Sequence, residues 1–343
     1  MATNNALPGQ FDTRVLIGVI NKRPVLPSLF KNLFFSTRNP IASKFAELEV
    51  TVGGKQLIPF VGDYSPGTVI GRVGRESRSV KTPRMRPKLA YRAPDLLDHT
   101  APGGNAHLQP GETREQAIER CIALDLDNLK GRVETTVEYM CAQALKGYLS
   151  YTGDDISFTI DYLMPDAHKI VLGSGSRWGD TGVDILDWLE AQGDMIVEAC
   201  GLSPDVCVMG TKAWGAFRKD EQVKEELDNR NMNVGQLAPV IGKAYRGSVN
   251  GLDIYRYGGA YQDSAEALQK LLGPEYIVLG CSQAETEITF GLPEDLAAGG
   301  MAMEYFSKAY YEDDPSTLNI LAESRPLPLP RLPGAYVYAK VVA

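Results

Sequence analysis

Residues 113–149, TREQAIERCIALDLDNLKGRVETTVEYMCAQALKGYL, constrain the fold more than any other stretch of this chain. Ile118, Ile122, Leu126, Leu129, Val133, Val137, Met140, Ala144 and Tyr148 recur at steps of three and four, which lays one continuous apolar stripe along a helix. Thr113 and Gln116 form a capping box just past the turn signal Pro110-Gly111. At 1.5 Å per residue such a helix is about 55 Å long, several times the ordinary length. Sustained heptads with charged flanks are absent and Gly131 interrupts the run. The pattern therefore predicts a spine with other elements packed along one side, not a coiled coil.

Most of what surrounds the spine is strand-like. The stretch FDTRVLIGVINKRPVLPSLFKNLFF (11–35) is broken by Pro24 and Pro27, yet holds Leu26, Leu29, Phe30, Phe34 and Phe35 within ten positions. It is too irregular to form its own core and reads as an arm that docks elsewhere. From 47 to 95, alternation around Gly53-Gly54 predicts a long β-hairpin whose returning limb, poor in large apolar residues, needs a neighbouring surface. DISFTIDYLM and HKIVLG read as a strand pair, and TGVDILDWLEAQGDMIVEAC as an amphipathic helix. Further on, DVCVMG, GLDIYRY, YIVLG and ETEITFG predict strands, and KAWGAFRKDEQVKEELDNR and SAEALQKLL predict helices, so the fold class is α+β. Alternate prolines in ESRPLPLPRLPG block a central strand and lead stiffly into a last strand, AYVYAKVV.

Charge is distributed unevenly. The formal net charge is −8, yet residues 72–94 carry Arg72, Arg75, Arg78, Lys81, Arg84, Arg86, Lys88 and Arg92 against one acid, Glu76, which leaves −15 for everything else. Such asymmetry calls for an acidic partner, either nucleic acid or a second copy of the chain. Tyr91 is the only aromatic in the stretch, and no helix-turn-helix or zinc finger is present, so sequence-specific DNA recognition is not expected. Two acidic surfaces answer the basic one. Asp184, Asp187, Glu190, Asp194 and Glu198 fall at helical steps opposite Ile185, Leu189 and Ile196, and Glu112, Glu115 and Glu119 lie where the spine begins.

No run approaches the roughly 18 apolar residues of a membrane span, and MATNNALPGQ lacks a secretory start, so a protein made inside a cell and away from membranes is expected. The five cysteines are spread out with no C-x-x-C pair and read as buried thiols. Chemistry is hard to place. There is no G-K-S/T phosphate loop, no G-x-S-x-G and no H-E-x-x-H, and only three histidines. Gly173, Gly175 and Gly179, between a strand and a helix, miss the dinucleotide fingerprint by one residue, and no acid follows the next strand to hold a ribose. No catalytic, cofactor-binding or metal-binding residue is nominated.

Several stretches together resemble the major capsid proteins of lambda-like tailed bacteriophages, the phage major capsid protein E family. They are VKEELDNRN (223–231), IGKAYRGSVNGLDIYRYGGAY (241–261), EYIVLGCSQAETEITFGLPED (275–295), the ending AESRPLPLPRLPGAYVYAKVV and the arm LIGVINKRPVLPSLFKNLFF. The resemblance implies a Hong Kong 97-type capsid fold: N-terminal arm 1–46, extended β-hairpin loop 47–95, and peripheral domain 96–199 with its spine at 113–149. An axial domain 200–322 and a C-terminal strand 323–343 returning to the peripheral domain complete it. It implies a structural protein rather than an enzyme, without cofactor. Its hexamers and pentamers would close an icosahedral shell around double-stranded DNA, with scaffolding, portal and decoration proteins as partners, in a virion assembled in the host cytoplasm. The alternative is the shell protein of a cellular nanocompartment. On this reading the basic limb reaches over a neighbouring subunit, and reversing Arg78, Arg84 and Arg86 blocks assembly while the monomer stays folded.

Overall fold

The structure, a computed structural model, describes residues 16–17, 20, 28–52, 74–92, 114–152, 157–224, 244–263, 266–313 and 317–343, without the side chains of 49–52, 74–76, 114–119, 121 and 152. From the N-terminal side, α1 (Leu29–Leu33) and β1 (Thr37–Pro40) lie in the arm, and β2 (Phe45–Val52) and β3 (Gly74–Lys81) make the hairpin. β4 (Lys88–Arg92) precedes the spine α2 (Arg114–Ala144), and β5 (Tyr148–Thr152), β6 (Ser157–Asp161), β7 (Lys169–Val171) and α3 (Ile185–Cys200) follow. Next come β8 (Val206–Met209), α4 (Thr211–Phe217), β9 (Tyr245–Val249), β10 (Leu252–Arg256), β11 (Ala260–Gln262) and β12 (Leu268–Lys270). The chain ends through β13 (Tyr276–Gly280), β14 (Thr286–Phe290), β15 (Phe306–Glu312), β16 (Thr317–Glu323), β17 (Pro326–Pro330) and β18 (Tyr336–Lys340).

The spine is a 31-residue helix, about 46 Å at 1.5 Å per residue. Ile122, Leu126, Leu129, Val133, Val137, Met140 and Ala144 are buried along it, as their spacing predicts, while the Ile118 side chain lies outside the described residues. The helix stops five residues before the expected end at 149. Gly147 takes φ +90°, and a Cβ there would lie 2.7 Å from the Met164 Cβ, so the chain can turn at this point only with glycine. Tyr148, expected on the apolar stripe, instead starts β5 and is half-exposed.

The largest sheet has the order β7-β18-β13-β8-β10-β9, so the last strand lies between β7 and β13. It draws strands from both sides of the expected boundary at 199/200. Two three-stranded sheets, β1-β14-β17 and β15-β16-β4, tie the arm and the exit from the hairpin to C-terminal strands. The hairpin β2–β3, paired from Phe45↔Lys81 to Val52↔Gly74, forms a two-stranded sheet of its own.

Four expectations are corrected. Residues 157–161 pair with 148–152 rather than with 169–171, which run parallel to β18. Residues 268–270 of SAEALQKLL form a strand against β11, not a helix, because tertiary pairing overrides a modest local preference. The helix expected from KAWGAFRKDEQVKEELDNR is broken after Phe217, and Asp220 caps a new turn by accepting the Gln222 and Val223 N–H groups. Finally, PLPLP is not merely a lead-in: it is the edge strand β17, fully buried. Leu327 and Leu329 face β14 in hydrogen-bonding register, while Pro326, Pro328 and Pro330 point their missing N–H groups away from the ladder.

Candidate functional site

Two charged clusters dominate the chemistry of the described residues. The first docks the arm onto the spine. Glu134 and Glu138, one helical turn apart on α2, are almost completely buried. Glu138 accepts the Phe30 N–H at 2.9 Å, the Lys31 N–H at 3.0 Å and the Tyr257 hydroxyl at 2.8 Å. It thereby caps α1 from another element, since Ser28 makes no side-chain cap of its own. Glu134 pairs with Lys31, accepts the Tyr305 hydroxyl and meets Arg38 at 3.3 Å. Burial pushes the Glu134 carboxyl up, but the bonds from Lys31 and Tyr305 and the nearby Arg38 hold it below its ordinary range. Phe30 packs edge-on to Tyr257 and Phe34 edge-on to Tyr336, so the arm's aromatics find the burial their sequence demands.

The second cluster lies at the root of the hairpin. Glu323, at the end of β16, accepts Arg84 through both oxygens, Nε at 2.9 Å and a terminal nitrogen at 2.8 Å, and meets Arg86 at 3.5 Å. Arg86 also bonds Asp295 at 3.1 Å, and Lys308 pairs with the same carboxylate. Glu294 receives Lys44 at 2.9 Å and Arg325 at 3.3 Å. Lys44 above all holds the Glu294 carboxyl low; at Asp295, burial opposes Lys308 and Arg86, and the cations prevail.

The basic limb is therefore not one surface. Arg84 and Arg86 are spent within the chain, which corrects the expectation that reversing them leaves the monomer folded. Arg78, Lys81, Lys88 and Arg92 are exposed along β3 and β4; Arg75 lies on β3 with its side chain outside the described residues, as is all of Arg72. On the acidic side, Asp184 is consumed as the N-cap of α3, accepting from the Leu186 and Asp187 N–H groups. Asp187, Glu190, Asp194 and Glu198 are exposed on one face of α3. Glu115 and Glu119 stand in the first turns of the spine with side chains outside the described residues, and Glu112 lies outside altogether. Sequence reasoning missed Glu134, Glu138 and Glu323. The four-residue step from Lys130 through Glu134 to Glu138, beside the apolar stripe, was the available signal for the first two.

The glycine-rich turn is already filled from within: Asp180 accepts the Gly175 and Arg177 N–H groups, the donors an anion would need. Two open clefts of about 340 and 440 Å³ flank β1, and neither is lined by a histidine or cysteine. Among the described residues no cluster of potential metal ligands occurs and no helix is long and apolar enough to cross a membrane.

The family described as Phage major capsid protein E matches residues 12–341. The chain belongs to this family. It is similar in structure to a prophage protein of E. coli CFT073 assigned as a capsid protein, with TM-score 0.71 and 19% identity over 96% of this chain and 99% of that one. A phage-related protein of Bordetella bronchiseptica RB50 aligns with TM-score 0.54 and 12% identity over 95% and 96%. The capsid protein of cyanophage P-SCSP1u aligns with TM-score 0.50 and 11% identity over 93% and 89%. No curated protein sequence matches the chain. The fold is the Hong Kong 97 type, and the protein is a phage major capsid protein whose copies build the shell of the virion.

Proposed function

We propose that copies of this chain form hexamers and pentamers that close an icosahedral head around packaged double-stranded DNA, assembled in the host cytoplasm. The family match across residues 12–341 carries this reading and favours a phage head over a nanocompartment. The protein's work is mechanical rather than catalytic. Scaffolding, portal and decoration proteins are its partners, and DNA is enclosed without its sequence being read. The peripheral domain (96–199, rejoined by 323–343) and the axial domain (200–322) pack around the symmetry axes.

Between subunits, the exposed basic residues of the limb, Arg78, Lys81, Lys88 and Arg92, lie over the neighbour's Asp187, Glu190, Asp194 and Glu198. Exposed ion pairs contribute only about 0–1 kcal/mol each. One such contact is weak, and its repetition over a closed shell is what holds. A weak contact also lets a misplaced subunit leave. The net negative charge of the chain keeps the wall from gripping the DNA it encloses.

The test is size. Expressed with and without its neighbouring genes, the chain is expected to sediment as closed shells or tubes visible by negative-stain electron microscopy. Small monodisperse particles under both conditions would overturn the proposal.

A further inference from the structure

We infer that Glu323 is the positioning residue that aims the hairpin, an inference resting on the proposal that the hairpin reaches a neighbouring subunit. Among the described residues β2 and β3 pair only with each other, and Ala46, Leu48 and Val80 at the base of the hairpin pack into the core, so its direction is set by that packing together with the contacts where it joins the body. Two chain segments meet there, 41–44 on the way in and 82–87 on the way out. The way in is stitched to residues 290–292 and the way out to Ser324, and the Gly291 N–H bond to the Arg325 carbonyl at 2.9 Å joins those two stretches. Ile41 donates to the Phe290 carbonyl at 2.8 Å, and Leu292 donates to the Ser43 carbonyl at 2.9 Å. Thr82 donates to the Lys44 carbonyl at 3.0 Å, and Met85 and Ser324 exchange bonds at 2.9 and 3.0 Å.

Backbone bonds alone would allow a hinge about the 290–294 loop. Glu323 removes that freedom because its one carboxylate reads both sides at once. It holds Arg84 of the exit segment by two bonds, and the same Oε1 accepts the Glu294 N–H at 3.0 Å from the loop that touches the entry segment. A paired fork of this kind tolerates little change of angle. The side chain is fully buried, so water offers no alternative partner when the fork opens. Close packing seconds the charge: a Cβ on Gly291 would overlap the Thr82 side chain, which leaves no play between loop and limb.

The unassembled chain and its Glu323→Gln variant are compared by hydrogen exchange, and their assembly products by electron microscopy. In the variant, exchange in segments 82–88 and 291–295 is expected to rise at least tenfold while the spine segment 122–141 is unchanged, and regular shells give way to irregular sheets or aggregates. Gly291→Ala, which keeps every ion pair, is expected to disturb assembly in the same way. Unchanged exchange at the root, or regular shells despite raised exchange, would overturn the inference. So would a rise shared equally by the spine, which would make Glu323 an ordinary core ion. Wild-type chain that forms no shells would count against the capsid proposal instead, and the exchange comparison would still stand by itself.

Discussion

Truncating Glu138 to alanine tests the idea that the arm is held by a carboxylate from the spine. Three donors converge on it, the Phe30 and Lys31 N–H groups and the Tyr257 hydroxyl, at 2.9, 3.0 and 2.8 Å. Glu138 itself is 3% exposed, while Tyr257 is part-buried. Each buried donor left without an acceptor costs about 1–3 kcal/mol. Water entering the vacated space recovers part of this, so Glu138→Ala is expected to destabilise the unassembled chain by about 3–6 kcal/mol. That is a large share of a typical total of about 5–15 kcal/mol. Glu138→Gln keeps one acceptor oxygen and turns an NH₂ toward the other donors, so about half the loss is expected. Denaturant unfolding measures the total, and hydrogen exchange over 28–40 measures the arm. A loss below about 1 kcal/mol, or unchanged exchange in that segment, would refute the capping argument.

Other outcomes follow from the same geometry. Asp187→Lys with Asp194→Lys on the exposed face of α3 is expected to cost about 1–2 kcal/mol of stability, chiefly from the first-turn Asp187, while abolishing shells in sedimentation; normal shells would remove α3 as the partner of the basic limb. The carboxyls of Glu134, Glu294 and Asp295 are held below their unfolded values, near 4. The stability they add is therefore present above about pH 4.5 and lost as pH falls through the lowered folded values, so the urea midpoint should be level from pH 7 to about 5 and drop below. A level midpoint down to pH 3 would contradict this. Burial pushes the thiols of Cys207 and Cys281 up to about 12, whereas Cys200 is only half-buried. With a disulfide reagent at pH 8, Cys200 should be modified well before Cys207, because burial both raises the Cys207 thiol and shuts the reagent out. Comparable rates, read by mass mapping, would count against the buried placement.

Much of the architecture was legible along the chain. The apolar step of three and four marked the spine, and alternation marked the outgoing strand of the hairpin. The turn expected at Gly53-Gly54 lies outside the described residues; Val52 pairs with Gly74, and the returning limb ends at Lys81, since 88–92 pair with β16 instead. The arm's Phe30, Phe34 and Phe35 announced that they needed burial. Where the reading failed, the deciding contact was distant. Gly147 ends the spine because Met164 leaves no room for a side chain, and β7 pairs with β18 because strands 169 residues apart in sequence come together, as Lys169↔Tyr338 shows. The basic limb looked uniform because charge counts carry no direction. In the fold it divides into a root whose arginines are paired within the chain and an exposed blade.

The sequence by itself determined most of the elements, their order and the charge asymmetry, since period, turn chemistry and net charge are properties of neighbouring residues. Only the tertiary structure decided what each carboxylate does. Glu134 meets Lys31 across 103 positions and Glu323 meets Arg84 across 239, and no local pattern encodes such a meeting. A charge becomes a cap, a clamp or a docking surface according to which distant segment removes its water. That is settled when the sheets close and the arm lies down on the spine.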